Sequence, residues 1–180
     1  MNDRNDALVA ASEVICNLPS LPQQVSSSAV ATVGKAQVYP NGVNVIPGEV
    51  EFYVDIRDIH ESTRDKLVNL VIEAAGEITE KHGVTFEWEE TARTKPVPIK
   101  ESFQKDMETS VKRQGIKPVF LPSGAGHDAM ILGNHLPVAM LFVRSRDGVS
   151  HNAAEWSSLN DCVQGVHVLK DFLEQVTQEE

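Results

Sequence analysis

Six histidines, at positions 60, 82, 127, 135, 151 and 167, are the first residues to ask for chemistry. Two of them have suggestive surroundings. Ser123-Gly124-Ala125-Gly126-His127-Asp128 places a His–Asp pair where a glycine-rich turn enters a helix pattern. Glycines let a backbone approach a ligand closely, and free amides at a helix start attract anions such as a carboxylate. An ordinary strand-to-helix turn accounts for the same residues. His151, in Gly148-Val149-Ser150-His151-Asn152, follows an apolar strand pattern. Loops after the carboxyl ends of parallel strands are where α/β proteins bind ligands. The other four read as structural: His60 and His82 flank a helix, His167 lies inside one, and His135 precedes a strand. A hydrolytic triad has no support, since GxSxG is absent and neither Ser123 nor Ser150 has the elbow spacing. A metal site needs three or four protein ligands, HExxH is absent, and two loop histidines with Asp128 are too few for a dinuclear centre. The residues by themselves describe half an active site.

The elements that must position these residues fall into two grammars. Residues 5–18 carry apolar positions at helical spacing and stop at Pro19. An extended stretch, AVATVGKAQVY, ends at the turn Pro40-Asn41-Gly42, and Val50 to Arg57 alternates strictly, as a half-buried antiparallel strand does. A helix over about 62–82 follows, with Ser62 and Asp65 as a capping pair and Lys81-His82-Gly83 as its stop. Val84, Phe86 and Trp88 then alternate as another strand. Beyond the linker Thr94-Lys95-Pro96-Val97-Pro98 the order becomes a helix around Phe103–Val111, a short strand at 119–121, the glycine turn, and a short helix to about Leu132. LPVAMLFV at 136–143 is apolar at every position, the mark of a strand buried on both faces, and the last helix starts near Ser158. The first half, α-β-β-α-β, is a split β-α-β unit lacking its first strand; the second is α-β-α-β-α, as in a parallel α/β sheet. The chain thus reads as the tail of something larger.

Composition narrows the partners. Among 180 residues, 26 acidic groups against 16 basic ones give a net charge of −10, the wrong sign for gripping phosphates, so neither nucleic acid nor an anionic membrane is expected. The apolar share of 41% is enough for a buried core. Cys16 and Cys162 lie far apart on helix patterns and read as buried, reduced thiols. With no membrane-length apolar run and no signal-peptide core at the start, a soluble cytoplasmic protein is expected.

Three stretches, PNGVNVIPGEVEFYVDIRD, LPSGAGHDAM and LFVRSRDGVSHNAAEW, occur in this order. They resemble the zinc-dependent amidohydrolases that include allantoate amidohydrolase, N-carbamoyl-L-amino-acid hydrolase and β-ureidopropionase, within the aminoacylase/carboxypeptidase-type metallopeptidase superfamily. The opening MNDRNDALVAASEVI is similar to the segment after that family's HAGxTPM motif, with Met1 as the motif's Met. The resemblance implies a lid and dimerisation domain over 1–94 and the C-terminal part of a di-zinc catalytic domain over 99–180. It implies that His151 is a metal ligand and that His127 contacts substrate beside the backbone of Gly124, Ala125 and Gly126. It further implies that Asn44 and Arg57 bind a substrate carboxylate and reach into the partner subunit's site, where the alternation alone had made Arg57 a surface arginine. The implied substrate is a small carboxylate-bearing ureido or amide compound, the metal zinc, with manganese or cobalt as alternatives, and the assembly a homodimer through the lid. The other metal ligands, the catalytic glutamate and the lid histidine precede Met1 in such enzymes, so no catalytic residue is expected here and the metal site is incomplete. A catalytically dead dimerisation module, or one half of a split enzyme, is the alternative. Arg144 and Ala153 stand where the family has prolines, which puts the rigidity of the His151 loop in question.

Overall fold

The structure, a computed structural model, describes residues 4–177. The chain divides into two compact units, one built from the residues up to Pro96 with Pro122–Gly124, the other from Val97–Leu121 and from Ala125 onward.

In the first unit, α1 (Ala7–Asn17) starts where Asp6 accepts hydrogen bonds from the amides of Leu8 and Val9, at 3.0 and 3.2 Å. An antiparallel hairpin follows, β1 (Val30–Tyr39) and β2 (Glu49–Arg57). β2 alternates without interruption between half-buried and exposed positions. β1 does not, because the register slips between Val33 and Lys35 and leaves Gly34 as the extra residue of a bulge. The slip moves the inward positions from Ala31 and Val33 to Val38, which is why the β1 sequence shows no clean period of two. Asn41 takes a left-handed backbone (φ 59°) in the connecting loop, and Gly48 N–H donates to Tyr39 O to close it.

The helix α2 (Glu61–Lys81) then lies on the inward face of the hairpin. Leu67, wholly buried, joins Leu18, Leu21, Ala29 and Val71 in the core, with Val33, Val54 and Ile56 packed against them. Glu13 of α1 accepts from Lys81 Nζ and pairs with His82 Nε2, each at 2.6 Å, fastening the two helices together. The expected Ser62 cap is not used. The residue before the helix is His60, and Asp58 does the local work by accepting from Ser28 Oγ, Thr63 Oγ1 and the Ile59 amide. Arg64 Nη1 donates to Thr94 O, so the chain after α2 runs back along that helix.

The second unit packs α3 (Glu101–Arg113) against α5 (Leu159–Val176), with Phe103 edge-on to Phe172 at 5.6 Å. Between them in sequence comes the five-residue α4 (Asp128–Leu132). Ser158 caps α5 by accepting from the Asp161 amide at 3.0 Å, as the sequence predicts.

Three expected strands are not strands here. Residues 84–88, 119–121 and 136–143 form no ladder, and among the described residues the sheet has two strands only. An extended segment becomes a strand only beside a partner backbone, and no other described segment lies in register beside these. The two-face burial expected of 136–143 fails for the same reason: Val138 is buried, whereas Leu136, Phe142 and Val143 are exposed. Both cysteines are exposed rather than buried, since each falls on the outward side of its helix. The chain is therefore a partial α+β fold with few strands. No described helix is long and apolar enough to cross a membrane. Met1, the expected end of the HAGxTPM motif, lies outside the described residues.

Candidate functional site

Arg57 ends β2 on its exposed face, where the alternation predicts it. Its guanidinium is held on two sides. Nε and Nη2 donate to Asp55 at 2.7 and 2.6 Å, and Nη1 donates to the carbonyl of Gly124 at 2.6 Å. Two residues of separate motifs, 67 positions apart, thus meet. A guanidinium has five N–H groups, so these three bonds leave one on each Nη for a further acceptor. The hydrogen-bonded guanidinium holds the Asp55 carboxyl below the usual carboxylate range, and Asp55 in turn raises Arg57, so both stay charged.

Gly124 and Gly126 lie in the turn without steric constraint. Neither has a positive φ. A Cβ on Gly124 would meet nothing within 4 Å, and one on Gly126 would meet only Met130 Sδ, at 3.9 Å. Gly133 and Gly165 differ, since a Cβ there would come within 2.3 Å of Val97 Cγ1 and 2.9 Å of Val143 Cγ2. Gly124 and Gly126 are both exposed, so a side chain at either would face solvent.

His127 is the half-buried residue that precedes α4, its ring edge-on to Phe142 at 6.1 Å. Five residues align too few peptide dipoles to make α4 an anion site on that ground. Ala125 is half-buried in the same turn. His151 is exposed, with a left-handed backbone at φ 56°, and its amide donates to Glu155 Oε2 at 2.8 Å. The loop around it is tied down further. Asn152 accepts from the amides of Ala154 and Glu155, Arg146 N–H donates to Trp156 O, and the Arg146 guanidinium lies over the Trp156 ring. Arg144, in the place of an expected proline, reaches Asp161 at 2.7 Å. The bond from Ser158 and this contact hold the Asp161 carboxyl below its ordinary range.

Asn44 stands apart from Arg57. It is exposed in the β1–β2 loop, at one end of β2, and Arg57 is at the other. Nine strand residues span about 26 Å at roughly 3.3 Å per step, so one small carboxylate cannot touch both residues of a single chain. Asp55 and Glu155 went unnoticed in the sequence. The signals were there: Asp55 precedes Arg57 by two positions on the same strand face, and Glu155 follows His151 by four.

The donors do not add up to a metal centre. Among the described residues, no group of three or more His, Cys, Asp or Glu side chains is placed to hold an ion. His151 alone does not fit a bound metal.

The model of peptidase family M20/M25/M40 matches residues 2–175, and the chain belongs to that family, which is metal-dependent. An N-carbamoyl-L-amino acid amidohydrolase from Geobacillus stearothermophilus is 38% identical over 100% of this chain and 44% of its own length. An allantoate amidohydrolase from Bacillus subtilis is 34% identical over 96% of this chain and 42% of its own. Among solved structures, a hydantoinase/carbamoylase-family amidase from Burkholderia multivorans superposes with a TM-score of 0.88, at 32% identity, over 96% of this chain and 42% of that one. A structure of AtUAH in complex with glyoxylate superposes at 0.87, at 28% identity, over 99% and 43%. The chain therefore spans about two fifths of the length of the relatives it matches.

Proposed function

We propose that this chain is the substrate-gripping portion of a metal-dependent amidohydrolase that cleaves a linear amide or ureido C–N bond in a carboxylate-bearing substrate, allantoate or an N-carbamoyl-L-amino acid. The observation that carries this reading is Arg57. Its guanidinium is fixed by Asp55 and Gly124 and keeps one N–H on each Nη. A planar fork of this kind suits a carboxylate held at two points. The carboxylate-bearing substrate of the N-carbamoyl-L-amino acid relative and the glyoxylate bound to AtUAH fit the same chemistry.

Residues up to 94 then form the lid, a split β-α-β unit lacking one strand, and residues 99–180 the C-terminal part of a di-zinc-type catalytic domain. Asn44 grips substrate from a partner subunit, since it lies a strand's length from Arg57, and the assembly is a homodimer through the lid. His127 contacts substrate together with the backbone of Gly124, Ala125 and Gly126. His151 is the chain's one contribution to a divalent metal, zinc or in its place manganese or cobalt. The remaining ligands and the general base belong to the part of the enzyme these residues do not span. The isolated chain is accordingly inactive.

The test is to assay the purified chain, alone and co-expressed with the part of the Geobacillus stearothermophilus enzyme outside the match. Allantoate and N-carbamoyl amino acids serve as substrates, with zinc, manganese or cobalt supplied. Turnover by the pair and none by the chain supports the proposal. Turnover by the chain alone, or by neither under any metal, refutes it.

A further inference from the structure

The sequence holds one Asn-Gly pair, Asn41-Gly42, in the loop between β1 and β2. Both residues are exposed, and Asn41 is held at φ 59°. The loop is tied at its base, where Gly48 N–H donates to Tyr39 O and Ala7 N–H to Pro47 O. At its tip the Gly42 carbonyl accepts from the Val45 amide at 3.3 Å. Among the described residues, no hydrogen bond holds the Asn41 carboxamide or the Gly42 amide. Comparable positions elsewhere are restrained. Asn134 donates to Met130 O at 2.8 Å, and Asn152 accepts from the Ala154 amide at 2.9 Å. In the pair Asp147-Gly148 the glycine amide donates to Ser145 O at 3.3 Å. Asn69 lies inside α2, where the following amide is a helix donor.

We infer that Asn41 is a site of spontaneous covalent modification, deamidation through a cyclic imide, in the loop that carries Asn44. The Gly42 backbone nitrogen gives up its proton to hydroxide and attacks Asn41 Cγ. A C–N bond forms there, and the side-chain nitrogen leaves as ammonia after taking a proton from water, which returns the hydroxide. Water then opens the imide. Cleavage of the new Cγ–N bond leaves aspartate, and cleavage of the original Asn41 C–Gly42 N bond leaves isoaspartate, with the main chain running through Cβ and Cγ. Either way one carboxamide and one water become one carboxylate and ammonium, and nothing is oxidised or reduced. A side chain on the following residue crowds this attack, and glycine has none. The product adds a negative charge to a chain already at −10, three positions from Asn44. The modification stands without the substrate reading, whereas its consequence, a weaker grip on a carboxylate, rests on that reading.

The experiment holds the purified chain at mildly alkaline pH and follows position 41 over time by peptide mass spectrometry and by enzymatic methylation of isoaspartate. Conversion at Asn41 ahead of Asn134, Asn152 and Asp147 is expected, and it should quicken as pH rises because the attacking nitrogen must lose its proton. Gly42→Ala should slow it about tenfold. Gly42 has no positive φ, and the added Cβ would stand 3.3 Å from Cγ2 of the exposed Val45, a side chain with room to yield. Unchanged circular dichroism establishes that this variant folds. A folded chain that keeps Asn41 while a free peptide of residues 36–47 converts overturns the inference, as does conversion at an equal rate in Gly42→Ala. In the co-expressed pair, Asn41→Asp should raise KM severalfold for an N-carbamoyl amino acid and leave it unchanged for the same compound without its carboxylate. Conversion at Asn41 with a KM that does not move supports the modification site and removes this loop from substrate binding, so the two readings fail separately.

Discussion

Replacing Arg57 by Lys tests the substrate reading most directly. The guanidinium spends Nε, one N–H of Nη2 and one of Nη1 on Asp55 and Gly124, which leaves two donors in one plane for a carboxylate. A Lys ammonium at the same place is a point charge without a fork, and it keeps one such bond at best. A hydrogen bond to a charged group contributes about 1.5–3 kcal/mol, and because the side chain is about half exposed the lower part of that range applies. A loss of about 2 kcal/mol corresponds to a KM raised roughly 30-fold. The assay is steady-state kinetics of the co-expressed pair on an N-carbamoyl amino acid and on the same compound without its carboxylate. The intact enzyme should prefer the first strongly, and Arg57→Lys should erase most of that preference while metal content stays constant. An unchanged KM, or a KM raised equally for both compounds, would refute the carboxylate role.

Other expectations follow from single residues. His151→Ala should lower the metal content of the co-expressed pair, measured by atomic emission, before it alters substrate affinity; full occupancy would remove His151 from the ligand set. Leu67→Ala, at a wholly buried position shared by helix and hairpin, should cost about 3 kcal/mol, read as a lower urea midpoint at unchanged slope. Burial works to raise the Asp58 carboxyl but is outweighed by the bonds from Ser28, Thr63 and Ile59, so its folded pKa lies below its unfolded one. Its stabilisation is present above the unfolded value and is lost as pH falls through the folded one. Asp58→Asn should therefore cost about 1 kcal/mol at neutral pH and progressively less as pH falls below the ordinary carboxylate range, and a cost independent of pH would contradict the account. With two strands among the described residues and both outer edges unpaired there, the hairpin should seek a further strand, so the chain should sediment as a dimer or larger. A monomer stable at high concentration would refute that.

Local signals were legible where a single segment decides the outcome. The alternation of Val50–Arg57, the stripe around Leu67 and the Ser158–Asp161 cap each need only their own residues, and each is found. The segments 84–88, 119–121 and 136–143 failed because a strand is a property of two backbones, and sequence pattern reports only one. The apolar run at 136–143 leaves Leu136, Phe142 and Val143 exposed, with no described backbone paired beside it. The cysteines misled for a different reason: a helix period places them on a face without saying which faces are covered.

The site divides along the same line. Arg57 is legible because a strand's period fixes its face, and its contact with Gly124 turns two motif residues into one local arrangement. His151 is legible only as a histidine in a loop, since a ligand is defined by companions converging on one point and the described residues bring none. On the proposed reading, recognition of a carboxylate takes one fork, and Arg57 is held by Asp55 and Gly124 within one unit. Activation of water at a metal takes three or four converging donors and a base, and the described residues bring no such group of donors together. Gripping the carboxylate and breaking the bond are therefore, on that reading, separable demands, the first read at Arg57 and the second at His151.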